Sequence, residues 1–523
     1  MTKHPRQLKP TKQSASPVET MLDRLMQAIM DNDRDGVTAA TERLFDIGDE
    51  IGPAIRSRLL EDRSPLPTVE LELLQSLGGQ AAYLILEEIV ATSGLDDLLR
   101  FEAQRILGWP ESQQKKRRRD FLDTLKSPNA TLIRAAGMGL AAWPPMIELL
   151  EEVLHDLIAM PADQRTQAVG AIIGEIGSPS VWLLRGLLHV RDTTLQRMIL
   201  DQLLAWQDRA SAGAVRRLAA TGRSKKLREE AATVASRLEM RSINQRDRDS
   251  ERPWPPIGRA FLSEIDGDGG QVALITRDLD DELSILFDAF HNEIFGIKDL
   301  IGRRSMPRDE VEEMLEEFEV GGVETVEVDP AAVRGALIRA VEMNARNGKP
   351  IPPAFELWEP LLHDGYPAEA DEPVILPILD DTPYAGRADL ITASADLFGH
   401  VWFSSWLVPV EDALTAMEAV PPPPGGILTD HEYQALIPRF FPPEFLNRLR
   451  ERLRRQAWLL EREGEPGDRD LALAVAASFD DADAADLTEQ PFLREMTRLS
   501  VENAVAALYW GMPGATSSIF PFA

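Results

Sequence analysis

The chain contains no cysteine. This absence excludes disulfides, thiolate nucleophiles, cysteine-ligated zinc and iron–sulfur clusters, because each of these requires the cysteine sulfur. A chain without disulfides fits a reducing compartment, so we expect a cytoplasmic protein.

Long apolar runs are also missing. No stretch approaches the ~18 consecutive apolar residues that a transmembrane helix needs, so we expect no membrane insertion. Residues 1–17 are polar and lack the apolar centre of a secretory signal, which predicts a disordered tail. Hydrophobic residues still make up 44 % of the 523 residues. That length and composition predict roughly two to four domains with sizeable cores.

Motifs of the common nucleotide-binding and hydrolytic sites are absent as well. The chain has no G-x-x-x-x-G-K-[ST] phosphate loop, no G-x-G-x-x-G after a strand and no G-x-S-x-G elbow. Carboxylates are abundant, but abundance alone does not locate an acid–base pair. The sequence therefore favours a protein that is not an enzyme, and it assigns no catalytic residue, cofactor or metal ligand.

The whole chain has a formal net charge of −30, and the negative charge is concentrated in its second half. Residues 1–250 carry 34 basic and 35 acidic side chains, whereas residues 251–523 carry 22 and 51. An acidic surface repels nucleic acid and anionic membranes over a Debye length of about 8 Å. Two interpretations stay open for this half: a soluble acidic domain, or an acidic face that binds a basic partner.

The first half repeats a helical pattern. From residue 18 to about residue 240, apolar residues recur at spacings of three and four, with breaks at Gly, Pro, Asp and Asn. Apolar anchors near the ends of successive segments are roughly 30–34 residues apart, a period typical of stacked helical pairs. These anchors are Ile47, Leu77, Trp109, Trp143, Ile176, Trp206 and Leu238.

Residues 165–177 show the design of one repeat. Ala168, Ala171 and Gly174 lie three apart, which puts small residues on one face where a neighbouring helix can approach closely. With the anchors above, this segment resembles the HEAT repeats of the phycobilisome-lyase-like class. The resemblance implies an α-solenoid of HEAT-like helical pairs over residues 18–240, whose concave surface binds a protein partner. It covers the N-terminal half and leaves the second half unassigned.

Two basic clusters in this half are candidates for partner contact. The first is Lys115, Lys116, Arg117, Arg118 and Arg119. The second consists of Arg216, Arg217, Arg223, Lys225, Lys226 and Arg228. The five-residue run resembles a nucleic-acid patch. It lacks interleaved aromatic residues and glycines, so we expect a solvated face or a protein contact and keep nucleic acid as an alternative.

The periodicity changes after a charged and proline-containing linker at residues 241–256. Residues 259–265 and 271–277 alternate around Asp266-Gly267-Asp268-Gly269-Gly270, which predicts a β-hairpin. Residues 283–290 and 293–300 predict a second pair of strands around His291 and Asn292.

Two helices complete the prediction for this region. The segments 308–320, which is acidic, and 330–347 have helical patterns. Residues 257–365 are therefore predicted to form a small α+β domain with a four-stranded antiparallel sheet.

One polar cluster in this domain contains a histidine. Asp288, His291 and Glu293 lie close in sequence, and residues 291 and 293 would share a strand face by the two-residue period. A metal or catalytic site would need such side chains to converge from adjacent strands. No His-Glu-x-x-His spacing is present, so an ordinary hairpin tip is the preferred interpretation and the site is a speculative alternative.

The remainder is predicted in two parts. Residues 366–442 are acidic and irregular, with a proline-rich break at Pro421-Pro422-Pro423-Pro424-Gly425-Gly426. Residues 443–523 return to a helical pattern, with helices over 444–463, 470–479 and 491–510.

The function that best fits the whole sequence is a cytoplasmic, non-enzymatic scaffold for protein partners. An enzyme with a site in the α+β domain and a nucleic-acid-associated protein are the alternatives.

Overall fold

The structure is a computed structural model that describes residues 16–31, 33–61, 63–110, 113–142, 144–241, 254–363, 374–420, 428–480 and 484–510. It is helical in its N-terminal half, continues with a small antiparallel sheet, and is helical again towards the C-terminus. This order of elements confirms the coarse fold class expected from the sequence. The chain forms two compact units, one of residues 1–138 and 155–177, the other of residues 139–154 and 178–523.

Described residues up to 177 are mainly helical. The helices are α1 (Pro17–Met30), α2 (Arg34–Ile47), α3 (Ile51–Leu60), α4 (Pro67–Leu77), α5 (Gly79–Ala91), α6 (Asp97–Leu107), α7 (Gln114–Leu122), α8 (Pro128–Ala141), α9 (Ile147–Ala159) and α10 (Ala162–Ile176). Side chains cap several N-termini: Ser16 accepts the N–H of Glu19 at 3.1 Å, and Asp96 accepts that of Leu98 at 2.9 Å. In the first unit α3 packs on α5, and α4 on α6. Their apolar faces share one core.

Residues 181–241 continue as helices of the second unit. They are α11 (Val181–Leu187), α12 (Thr193–Trp206), α13 (Ala212–Thr221) and α14 (Lys225–Arg241). Here α13 packs along α14, α11 contacts α13, and α12 contacts α14. Each helix thus contacts the helix two positions along the chain, as α3 and α4 do in the first unit.

A left-handed residue recurs at the ends of these helices. Gly48, Gly78, Gly108 and Gly177 follow α2, α4, α6 and α10, each with φ between 60° and 75°. Gln207 follows α12 at the corresponding place, 30 positions after Gly177, and also has φ of 60°. Glycine adopts this conformation without a Cβ clash, whereas a side chain makes it costly.

Gln207→Gly should therefore stabilise the protein, by about 0.5–1 kcal/mol in the free energy of unfolding. The exposed Gln207 side chain has no described hydrogen bond to lose. Gly177→Ala is the reverse change at a glycine with positive φ, although its ψ of −146° differs from the 34° of Gln207. A Cβ there meets nothing within 4 Å, so its destabilisation reports backbone strain alone. Urea denaturation measures both variants. A destabilising Gln207→Gly would show that the side chain contributes more than the strain costs.

The sheet contains five antiparallel strands in the order β4-β3-β2-β1-β5. The strands are β1 (Ile257–Ser263), β2 (Gly270–Asp278), β3 (Leu283–Asn292), β4 (Gly296–Pro307) and β5 (Thr325–Glu327). The predicted hairpin around Asp266 is confirmed: one carboxylate oxygen of Asp266 accepts the N–H groups of Asp268 and Gly270, at 2.9 and 2.6 Å.

Two details of the predicted sheet were wrong. The second hairpin turns at residues 293–295, and His291 and Asn292 belong to β3. The reason is that the Asn292 side chain accepts the N–H of Ile294 at 2.7 Å, while Gly296 supplies a φ of 77°. The fifth strand, β5, pairs with β1 and spans three residues, which is too short for a periodic signal.

Different layers cover the two faces of the sheet. Helices α15 (Arg308–Val320) and α16 (Pro330–Arg346) confirm the two helices predicted there. One face packs on α15 through a core of Phe261, Leu274, Leu286, Met306, Val311 and Leu315. On the other face, Phe287 lies 6.4 Å from Trp358 between ring centroids. Gly302 makes room for that indole, because a Cβ at residue 302 would lie 2.3 Å from its ring.

The rest of the chain is again helical. Its helices are α17 (Phe355–Trp358), α18 (Ala388–Ala393), α19 (Val410–Ala419), α20 (Asp430–Phe440), α21 (Pro443–Glu463), α22 (Pro466–Ala477), α23 (Ala484–Glu489) and α24 (Pro491–Trp510). Among the described residues, none of the helices has the length and apolar character required to cross a membrane. Residues 1–15 of the predicted tail, 242–253 of the linker, the anchor Trp143 and the proline-rich break at 421–426 lie outside the described residues.

Candidate functional site

Helix α15 combines a buried apolar side with an acidic outer side. Its apolar side begins with Val311 and Leu315, which are buried against the sheet. Asp309 and Glu310 lie in the first turn, where negative charge interacts favourably with the helix dipole. The helix ends before Gly321, and Val320 at its last position is 89 % exposed. The sheet thus holds the helix in place and turns its polar side outward.

Seven carboxylates occupy this outer side of α15, which we call the acidic face. They are Asp309, Glu310, Glu312, Glu313, Glu316, Glu317 and Glu319, and all are exposed. Glu312 pairs with Arg259. In the described part of the chain, the other six have no Lys, Arg or His within ion-pair distance. The acidic face therefore keeps most of its charge uncompensated.

This arrangement opposes helix stability. The carboxylates recur three and four residues apart, as Glu313 does with Glu316 and Glu317. Like charges at these spacings destabilise a helix by about 0.2–0.5 kcal/mol per pair. Packing of the apolar side on the sheet offsets that cost. A stability requirement alone would favour mixed charges here.

The first basic cluster is divided by the structure. Arg118 is buried, lies 4.9 Å from the Trp109 ring and pairs with Asp156 at 3.1 Å. Arg119 donates to the carbonyl oxygen of Ala159, the last residue of α9, at 3.2 and 3.3 Å. Lys115, Lys116 and Arg117 are exposed and stay available to solvent or a partner. The run is therefore partly a structural support of the first unit.

The second basic cluster is mostly paired internally. Arg216 pairs with Glu239 at 2.5 Å, Lys225 with Glu229 at 3.8 Å, and Lys226 with Glu230 at 3.9 Å. Arg228 donates to the carbonyl oxygen of Gly222 at 2.8 Å. Arg217 is held by Glu356, in a network described below.

A groove of about 510 Å³ opens beside the first cluster, within the first unit. Its lining includes Arg119 and Asp123 near the end of α7, and Asn129, Gln164 and Gln167 from α8 and α10. The three amides are exposed and make no described hydrogen bond. Each of the three side chains offers hydrogen-bond donors and an acceptor to the groove.

The polar cluster Asp288, His291 and Glu293 does not come together as one site. Asp288 lies opposite Leu274, on the face that packs on α15, whereas His291 lies opposite Gln271, three positions along β3. Successive side chains of a strand alternate between faces, so Asp288 and His291 lie on opposite sides of the sheet. Glu293 follows the end of the strand and pairs with Arg452 of α21 at 2.5 Å.

Burial shifts the pKa values of His291 and Asp288 away from their usual ranges. Burial lowers the pKa of His291 to about 3, with Arg455 and Arg339 adding to the effect, so the imidazole is neutral at physiological pH. Burial also raises the pKa of Asp288 to about 7, reinforced by Asp299. Across the described ranges, no group of three or more His, Asp or Glu side chains is arranged to hold a metal ion. The geometry gives no support to a shared acid–base or metal function for the three residues.

A buried ionic network in the second unit was not anticipated. Glu356 of α17 is fully buried and binds Arg217 through both carboxylate oxygens, at 2.7 and 2.5 Å. The same carboxylate lies 2.7 Å from Nε2 of His189, and Arg185 reaches it at 3.6 Å. Arg185 also pairs with Glu359 at 2.8 Å. One carboxylate thus joins α13, the segment after α11, and α17.

The basic side chains of this network stabilise the ionised forms of Glu356 and Glu359. Burial by itself raises the pKa of Glu356, but Arg217 and His189 outweigh it and bring the pKa down to about 2. The pKa of Glu359 is held below its usual range, because Arg217, His363 and Arg185 outweigh burial in the same way. Both carboxylates are therefore ionised at neutral pH. A carboxylate with such partners stabilises the fold and is a poor proton acceptor.

No family model, no curated protein and no solved structure matches this chain. The HEAT-like resemblance consequently stays an expectation drawn from the repeat pattern.

A sequence signal for the network does exist. Arg185 interrupts the apolar run Val181-Trp182-Leu183-Leu184, and Glu356 lies between Phe355 and Leu357. A lone charge in an apolar stretch indicates a buried ion pair, because unpaired burial of charge is costly. The partner of each charge is 139 to 174 positions away along the chain, which sequence spacing does not reveal.

Proposed function

We propose that this protein is a non-enzymatic scaffold that binds a basic protein partner through the acidic face of α15. The observation that carries the proposal is the set of six exposed carboxylates on one helix packed against the sheet, none of which has a basic partner among the described residues. Their charges add to the excess of acidic over basic side chains in residues 251–523. Concentrated charge of one sign accelerates and orients the association of an oppositely charged partner.

The helical half is proposed to be a solenoid of HEAT-like pairs that offers a second partner surface. Three features support this part: the 30-residue recurrence of left-handed helix ends, the packing of helices two positions apart, and the amide-lined groove. Stacked pairs with exposed polar faces are typical of proteins that bind other proteins along an extended surface.

The two alternative functions have less support. A catalytic site would need Asp288 and His291 on one side of the sheet, and they lie on opposite sides. Nucleic-acid binding would need the basic clusters free for phosphate contacts, yet Arg118, Arg217 and Arg228 have internal partners. A cytoplasmic location stays part of the proposal.

Replacing Glu313, Glu316 and Glu317 together by glutamine tests the acidic face. The triple variant should lose recovery of a defined basic protein from native lysate, by about tenfold or more, because three attractive charges are removed from one surface. Recovery by the wild-type chain should fall with added salt and survive nuclease treatment. The variant should fold at least as well as the wild type, because repulsion along α15 decreases.

The matched control removes three exposed carboxylates from elsewhere. Glu42→Gln, Glu87→Gln and Glu175→Gln together change the net charge equally but lie on α2, α5 and α10. Unchanged recovery by this control would assign the effect to α15. Equal losses in both variants would mean that net charge alone acts, and nuclease-sensitive recovery would replace the proposal by nucleic-acid association.

A further inference from the structure

A small cavity of about 150 Å³ lies in the second unit, next to the buried network. Three segments contribute to it: residues 188–191 after α11, residues 221–223 at the end of α13, and residues 348–350 after α16. Leu188 and Leu218 supply part of its wall and are buried. Gln196, from the first turn of α12, also lines it. The cavity is therefore formed by helix ends that converge on one point.

Two arginines give this cavity its charge. Arg191 and Arg223 both line it and are exposed, and no Asp or Glu side chain does so. Neither arginine has a carboxylate partner within ion-pair distance in the described part of the chain. Their neighbours differ in this respect, because Arg185, Arg197, Arg216 and Arg217 are all paired with glutamates. Two positive charges are thus left unbalanced at one small cavity of an acidic protein.

The surroundings of the two arginines are held firmly. Arg228 donates to the carbonyl oxygen of Gly222 at 2.8 Å, which fixes the residue before Arg223. Gln196 donates to the carbonyl oxygen of Leu188 at 2.8 Å, which fixes the loop that carries Arg191. Behind them, Arg217 is immobilised by Glu356, and the Thr221 hydroxyl donates to the Arg217 carbonyl oxygen at 2.9 Å. The backbone around the site is thus ordered in advance, and ligand binding has to order only the two exposed arginine side chains.

We propose that the cavity of Arg191 and Arg223 binds the dianionic phosphate group of a small molecule. Two guanidinium forks match the several oxygens of a phosphate better than a single carboxylate, and two positive charges balance a dianion. The cavity, with a volume of about 150 Å³, has room for a group of this size. In the second basic cluster, Arg223 would therefore bind the ligand, whereas the other basic side chains have partners within the chain.

Calorimetric titration of the full chain with inorganic phosphate at pH 8 and constant ionic strength tests the proposal. Saturable binding to one site is expected, and Arg191→Ala and Arg223→Ala should each weaken it by about tenfold or more, because each removes a charged hydrogen-bond donor. Both side chains are exposed, so the variants should keep the circular dichroism spectrum of the wild type. Arg216→Ala is the matched control, because Arg216 lies on α13, pairs with Glu239 and does not line the cavity.

Two further ligands test whether the phosphate group belongs to a larger molecule and whether it must be a dianion. O-phosphoserine that binds more tightly than phosphate would support a phosphate carried by a larger molecule, and equal affinity would support free phosphate. Dimethyl phosphate, a monoanion, should bind at least tenfold more weakly than either dianion. The proposal is overturned by the absence of saturable phosphate binding, by binding that Arg191→Ala and Arg223→Ala leave unchanged, or by equal affinity for the monoanion.

Discussion

Glu356→Ala is expected to lower the free energy of unfolding by about 3–5 kcal/mol, the usual cost of breaking a buried ion pair from one side. The carboxylate that is removed holds both nitrogens of the Arg217 fork and contacts His189. After its removal Arg217, whose side chain is 15 % exposed, keeps only the more distant Glu359 at 3.8 Å as a counter-charge, so it is left largely uncompensated.

Urea denaturation followed by tryptophan fluorescence measures this effect, since the buried Trp358 lies two residues from Glu356. Glu282→Ala removes an exposed carboxylate from the same unit and should change stability by less than about 0.5 kcal/mol. The double variant Glu356→Ala, Arg217→Met should lose less than the sum of the single losses, because it leaves no uncompensated guanidinium. Additive losses would contradict the assigned coupling.

The same carboxylate predicts an acid-dependent loss of stability. The pKa of Glu356 is lowered to about 2 in the folded chain from an ordinary value of 4.5. A group with a lowered folded pKa contributes stability above its unfolded pKa, and this stability is lost as the pH falls towards the folded value. The difference in stability between wild type and Glu356→Gln should therefore shrink between about pH 4.5 and pH 2.

Glu264→Gln is expected to change stability in the opposite direction, with a gain of roughly 4 kcal/mol at pH 7.5 relative to pH 4. Glu264 follows β1, is 3 % exposed, and one of its carboxylate oxygens has no described hydrogen-bond partner. Burial raises its pKa to about 8 and outweighs the backbone hydrogen bonds that lower it, while the nearby carboxylates of Glu324 and Asp266 make smaller contributions that raise it.

The sign of the pH dependence follows from this pKa. The unfolded chain releases the Glu264 proton near pH 4.5, whereas the folded chain retains it until about pH 8. Between these values the unfolded state binds fewer protons, so the wild type loses stability as the pH rises, by about 1.4 kcal/mol per pH unit at most. Glutamine has a similar shape and does not titrate, so it removes this loss.

Denaturation of both chains at pH 4, 6 and 7.5 measures the effect, with Glu316→Gln on the exposed face of α15 as control. The difference between Glu264→Gln and wild type should grow with pH, whereas the control should show no such growth. A constant difference would mean that Glu264 is ionised in the folded protein, with a partner that compensates its charge.

Local patterns predicted much of the secondary structure. The acidic helix over 308–320 and the hairpin around Asp266 were both expected, because amphipathic period and turn chemistry act between neighbours in the chain. The second hairpin was displaced by two residues, since the Asn292 side chain and Gly296 select the turn position more strongly than the hydrophobic pattern does. The three-residue strand β5 needs its partner β1 to exist at all.

The candidate sites were predicted less well, for a geometric reason. Asp288 and His291 are neighbours in sequence, but the strand pleat separates them. Glu356 and Arg217 are far apart in sequence, but tertiary packing joins them. Arg118 and Arg223 both belong to basic clusters of the sequence. In the structure, however, Arg118 is buried and pairs with Asp156, whereas Arg223 lines a cavity.

The sequence by itself determined the helical character of the first half, the strongly acidic second half, the absence of cysteine chemistry and the acidic periodicity of α15. Each of these depends on composition or on contacts between residues a few positions apart. Tertiary structure alone decided which charges are neutralised: Glu356 joins Arg217 and His189, Glu293 joins Arg452, and the carboxylates of α15 are left facing solvent. The reason is that the energy of a charge depends on its burial and on its nearest opposite charge, and both are set by segments distant in the chain.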